Sequence, residues 1–194
     1  MILFIAIYKT NEFNNKWIAL FMIYILQMQL LEAIMWLDQN CEGYNQKASL
    51  IAYFFTICQP LVNYLVMLYI VGWTDTTKNI SLLMIPYFIS LIYYISQSYP
   101  SENELCTRPA DKCWLEWNWL KLSGYWYIWM ISIFIPFLAL HNTSFNGLFP
   151  IAYIFLSFLV SFTVSSDMKY ISKPSLWCLL QVLMPVLMIA MQKN

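Results

Sequence analysis

Glu32 is the one charged residue of this chain that stands inside a long apolar run, where a carboxyl group can carry a proton or meet a cation. Hydrocarbon surroundings favour the neutral acid over the carboxylate, the property that a proton-carrying or gating group needs. Gln29, three residues earlier, falls on the same side of a helix. Gln59 and Asn63 form a second pair at helical spacing, and Gln181 is a polar residue of a third run. Counted from the polar loops at about 1.5 Å per residue, Glu32, Gln181, Gln29 and Gln59 lie at depths of about 9, 10, 13 and 16 Å. Gln29, Glu32, Gln59, Asn63 and Gln181 are therefore the candidates for a binding site or permeation path. Two other readings of Glu32 stand beside this one. The protonated acid can be glue between helices, hydrogen-bonded to Gln59 or Asn63, or its side chain can reach up to the interface.

Other chemistries lack their residues. His141 is the single histidine, so neither HExxH nor an HxxxH metal pair exists. No lysine stands in the middle of a span, no phosphate-binding glycine loop is present, and no nucleophile has an evident base beside it. Neither a cofactor nor a metal is expected, and the chain reads as a non-enzyme. Ten basic and ten acidic residues cancel, which leaves no basic stripe for nucleic acid.

The elements that hold these side chains follow from composition. With 61% hydrophobic and 10% charged residues, the chain departs from the roughly 25% charged of soluble domains. All charges but Glu32 cluster between apolar runs, the segregation that a bilayer imposes. The expected fold class is all-α: a single integral membrane domain over 1–194, built as a bundle of six transmembrane helices. They cover 17–37, 48–71, 80–98, 122–140, 148–164 and 174–191, each long enough for about 30 Å of hydrocarbon. The apolar stub before Lys9 is too short to span and reads as interfacial or packed; as a further helix it would make seven. Continuous apolar runs without alternation disfavour a β-barrel. Kinks are expected at Pro60 and Pro185, beside polar residues.

Trp17 and Trp36 bracket the first run and Trp73 follows the second, as in an aromatic belt. Between 99 and 121 lies a loop rich in Trp and Cys, whose tryptophans continue to Trp129 and predict a short interfacial helix. Trp114, Trp117 and Trp119 make it a candidate surface for a protein partner or for lipid. Six crossings put both termini on one face, with Cys41, Cys106 and Cys113 on the other. Cys106 and Cys113, seven residues apart around Pro109, are positioned to close a disulfide in an oxidising compartment, or else all three are free thiols. Lys9, Lys16, Lys78 and Lys193 on the terminal face against six basic residues on the other do not orient the chain. The sequons at Asn79 and Asn142 sit in very short loops of the terminal face and read as chance matches.

Four motifs occur in order: Q-L-L-E from Gln29 to Glu32, D-x-x-C-x-x-x-N from Asp38 through Cys41 to Asn45, QP-x-x-N from Gln59 to Asn63, and P-S-L-W-C from Pro174 to Cys178. Together they resemble an uncharacterised family of polytopic membrane proteins encoded by giant DNA viruses. The resemblance covers well under half of the chain. It implies a viral multi-pass protein of a host or virion membrane, without an assigned activity. It also marks Asp38, Cys41, Asn45, Pro60, Trp177 and Cys178 as motif positions, beside Glu32, Gln59 and Asn63. Relatives would carry an additional N-terminal helix, from which the short stub here departs.

Overall fold

The structure, a computed structural model, describes residues 13–109, 115–121, 124–139, 152–157 and 159–161, together with 180, 183 and 186. Helix α1, Phe13–Leu37, contains neither proline nor glycine and runs unbroken through the first expected span. Its apolar residues lie all round the axis. Trp17, Phe21, Met22, Ile25, Met28 and Met35 are buried, while Leu30 and Leu37 face outward. Such a helix packs on one side and leaves an apolar face outward on the other.

The single helix expected over 48–71 is corrected to two. Helix α2, Tyr44–Ile57, and helix α3, Gln59–Val71, meet at Cys58 with a bend of 58°. Pro60 explains the interruption, because it offers no N–H to the carbonyl of Thr56 and its ring crowds that carbonyl. The third run holds α4, Asp75–Leu83, and α5, Ile85–Ser98. It starts earlier than expected because Thr74 and Thr77 form a reciprocal capping box. Helix α6, Tyr125–Phe134, passes into a 3₁₀ turn, Ile135–Ala139, and is shorter than the expected 122–140. Of the expected fifth helix, the described residues within 152–161 are helical. The sixth, over 174–191, falls outside the described residues apart from Leu180, Leu183 and Val186, and the N-terminal stub falls outside them entirely.

The described chain is thus mostly helical. By length and composition Lys16–Leu37 and Asp75–Ser98 can each cross a membrane, and the bent pair makes a third if it is one span. Large apolar side chains cover the outer faces: Ile51, Leu65, Tyr69, Ile89, Ile92, Tyr93 and Ile131 are all exposed. An apolar surface of that extent suits a lipid surround.

Side-chain bonds set the register of α1 against α2 and α3. Asn45 reaches Met35, Thr56 reaches Met28, Tyr24 reaches Phe55 and Trp17 reaches Asn63, so the chains run antiparallel. Trp17 is consequently fully buried, stacked on Phe137, and does not belong to an interfacial belt. Trp36 and Trp73 are exposed, as a belt requires.

Where a short interfacial helix is expected between Cys113 and Trp129, the described residues before Tyr125 instead include one strand of an antiparallel ladder. Arg108–Pro109 (β1) pairs with Leu115–Glu116 (β2), Arg108 opposite Glu116. Trp117 and Trp119 then stack on each other inside the protein, 4.9 Å between ring centroids. They do not offer the exposed partner surface proposed for them, because the ladder turns them inward. Trp114 and Cys113 lie outside the described residues. The expected Cys106–Cys113 disulfide is also corrected: Cys106 is bonded to Cys41, with the two Cα atoms 5.7 Å apart. Spacing along the chain favoured the near cysteine, whereas docking of the hairpin beside the α1–α2 turn brings the distant one into reach.

Candidate functional site

Glu32 is buried at 7% exposure on α1, and its Oε2 accepts a hydrogen bond from Gln29 Nε2 at 3.3 Å. The helical pair read from spacing therefore exists. The wider seam does not assemble as expected. Asn63 Oδ1 accepts from Trp17 Nε1 at 2.8 Å, and Asn63 Nδ2 donates to the carbonyl of Ile133 at 2.8 Å. Trp17 lies about four turns from Glu32 along α1, roughly 22 Å. Gln59, about one turn before Asn63, is about 10 to 16 Å from the level of Glu32 by the Thr56–Met28 and Trp17–Asn63 contacts. Counting depth from Ala48 misplaced this helix, because α2 begins at Tyr44 and carries Gln59 farther from the loops. Gln181 lies outside the described residues, as do Trp177 and Cys178.

What the structure does assemble is a ring of donors around the break between α2 and α3. Three successive carbonyls lose their normal helical partners there. The carbonyl of Phe55 accepts from Tyr24 Oη at 2.8 Å, and that of Thr56 from Trp129 Nε1 at 2.9 Å. The carbonyl of Ile57 accepts from both Tyr87 and Tyr125 hydroxyls, each at 2.8 Å. The donors come from α1, α5 and α6, so the interruption ties three other helices to one point. Unpaired carbonyls in an apolar medium would each cost several kcal/mol, which is why a broken helix needs these neighbours. Gln59 is 1% exposed beside the break, and its Oε1 has no hydrogen-bond partner among the described residues. Cys58 is a free, half-buried thiol.

A second polar cluster closes the loop end. The Asp38 carboxylate accepts the N–H of Asn45 at 2.9 Å and that of Glu42 at 3.0 Å, and these bonds hold its carboxyl below the usual carboxylate range. It thereby supplies the anion that Gly43, the N-cap of α2, lacks a side chain to provide. Cys41 takes the turn with φ of 59°, an uncommon conformation outside glycine. Asn45, fully buried, donates to the carbonyls of Met35 (3.1 Å) and Thr107 (2.8 Å) and accepts from the N–H of Thr107 (2.9 Å). Trp119 Nε1 donates to Thr107 Oγ1, which meets Ser49 Oγ at 2.6 Å, and Ser49 in turn donates to Asn45 Oδ1. The amide of Asn45 thus pairs with Thr107 as a neighbouring strand would, and fastens the hairpin to the helices.

The motif positions Asp38, Cys41 and Asn45 converge on this clamp, and Gln59 and Pro60 stand at the break. Sequence reasoning missed Tyr24, Tyr87, Tyr125 and Trp129 because an apolar helix full of tyrosine and tryptophan gives no sign of which ring is a donor to a distant carbonyl. It missed Ser49 and Thr107 because nothing local links two hydroxyl residues 58 positions apart. Among the described residues no group of three or more His, Cys, Asp or Glu could hold a metal ion. No family model, no curated protein and no solved structure matches this chain.

Proposed function

We propose that this chain is a multi-pass integral membrane protein, six helices across the bilayer, which binds or passes a small solute, ion or proton through a polar interior and catalyses no covalent change. One observation carries the reading: a helix inside an apolar bundle is interrupted, and the polar groups this frees are kept at the cost of four aromatic donors. Irregular backbone at membrane depth is tolerated where protein surrounds it or where it lines a cavity, and in transporters such breaks form binding sites. Glu32, paired with Gln29 and nearer the loop end, is the titratable group of the path. Flux assays in liposomes test this, comparing the parent with Glu32→Gln and Glu32→Ala. Loss of ion or proton flux in both is expected if the carboxyl carries charge, and flux unchanged by both removes it from the mechanism.

The Cys41–Cys106 bond supports placing the loop end on the oxidising side of the membrane, because reducing compartments do not keep such bonds. The resemblance to proteins of giant DNA viruses makes that membrane one of the host or of the virion. Convergence of Asp38, Cys41 and Asn45 on one clamp supports treating that motif as a unit. Labelling with a membrane-impermeant maleimide, before and after reduction, checks the side. A Cys41 or Cys106 thiol reachable only from the cytoplasm reverses it.

A second reading, a structural or interaction protein of the same membrane, is favoured by the fastened hairpin, which presents Arg108 and Pro109 to the outside. Crosslinking after Arg108→Glu separates the two readings. A partner that is lost, with flux intact, selects the interaction role.

A further inference from the structure

The donors and acceptors at the helix break do not balance. Each tyrosine hydroxyl and each indole has one hydrogen to give. Those of Tyr24, Trp129, Tyr87 and Tyr125 are given to the carbonyls of Phe55, Thr56 and Ile57, the last of which uses both of its lone pairs. Gln59 Oε1 is left over: a strong acceptor in a residue that is 99% buried, one turn from those carbonyls, with no donor among the described residues. Native proteins leave few such groups, so a buried acceptor of this kind points to a donor from outside the chain.

The chemistry of the surroundings limits what that occupant can be. The groups at the break are neutral: main-chain carbonyls, phenols, an indole, a primary amide and the Cys58 thiol. Glu32 lies roughly 10 Å or more along α1 from the level of Gln59, and its carboxyl is engaged by Gln29. The C-terminus of α2 and the N-terminus of α3 meet here, so their opposite partial charges largely cancel. A cation moved into such a place would surrender its hydration without a counter-charge, a loss far larger than one amide oxygen repays. An uncharged donor loses much less and can give its hydrogen to Gln59 while accepting from no one. Resting on the reading of the chain as a binding or permeation protein, we infer that Gln59 Oε1 receives a small uncharged hydrogen-bond donor, a hydroxyl- or amide-bearing solute or water, at the break between α2 and α3.

The test uses the full chain in detergent and in liposomes, with Gln59→Leu as the variant, because leucine keeps much of the volume and removes the acceptor. Glycerol, urea and water fluxes are measured by light scattering, and potassium and proton fluxes by dyes in the same vesicles. The expected result is passage of an uncharged solute above protein-free vesicles, falling about tenfold in the variant, the loss of one hydrogen bond. The melting temperature of the variant should stay level or fall. Potassium or proton flux that depends on Gln59, with uncharged solutes at background, overturns the inference and leaves the permeation reading in place. Solute flux indifferent to the substitution also overturns it. No flux of any kind, with a variant that melts about 3 °C higher, shows a dry orphaned acceptor and overturns both. No flux with a less stable variant supports a resident water at Gln59 and overturns permeation alone.

Discussion

Two buried primary amides in this protein meet opposite fates. Asn45, at the loop end, makes all four hydrogen bonds its side chain allows: two donated, to Met35 and Thr107, and two accepted, from Thr107 and Ser49. Gln59, at the helix break, leaves its oxygen without a donor among the described residues although it is equally buried. A fully satisfied amide in low dielectric fixes one arrangement of its neighbours, whereas an unsatisfied one costs free energy without holding anything. The contrast separates an amide that fastens its neighbours from one whose oxygen holds nothing within the described chain. Asn63 falls between them, joining α1 and α6 through Trp17 and Ile133.

The comparison can be broken at the clamp, where the largest effect is expected. Asn45→Leu strips Thr107 of partners for both its N–H and its carbonyl and frees the carbonyl of Met35, at a cost of roughly 3–5 kcal/mol. Reversible unfolding in mixed micelles would measure it. A loss no larger than that of a surface substitution would mean that Asn45 is not what holds the hairpin. The paired substitution Cys41→Ser with Cys106→Ser should cost about 2–4 kcal/mol, since the bond closes a long loop in the unfolded chain. A gel-mobility shift on reduction, present in the parent and absent in the variant, confirms the pairing. If the shift survives Cys41→Ser and disappears with Cys113→Ser, the nearer cysteine is the true partner.

The smallest effect is one of pH. The carboxyls of Asp38 and Glu104 are both held low in the folded protein, Asp38 chiefly by the Asn45 amide and Glu104 chiefly by the Ser101 amide. A depressed folded value means that each contributes stability above its ordinary range and loses it as pH falls through the folded value. The first turn of α2 should therefore loosen below about pH 4 and be indifferent between about pH 6 and 8. Hydrogen exchange at the Glu42 and Asn45 amides reports it directly. Protection that stays constant down to about pH 2 would show that the Asp38 cap contributes nothing.

Much of the architecture was legible in the residues. The long apolar runs and the confinement of charge between them mark where helices lie, and α1 and Asp75–Ser98 follow those runs closely. Pro60 beside Gln59 marked a kink, and the kink is a 58° break. The Gln29–Glu32 pair followed from helical spacing. Less was legible at the loop end. Asp38, Cys41 and Asn45 stood out by resemblance alone, and nothing local tied them to Thr107, 62 residues beyond Asn45.

The sequence by itself determined where helices long and apolar enough to cross a membrane can run and where they break, because hydropathy and proline act over a few residues. The tertiary structure alone decided which polar groups meet. Register carried Gln59 and Asn63 away from Glu32, docking of the hairpin chose Cys41 over Cys113 for Cys106, and four aromatic side chains from other helices claimed the carbonyls at the break. A hydrogen bond or a disulfide needs its two groups within a few ångströms in space, and spacing along the chain controls that only inside a single helix or turn.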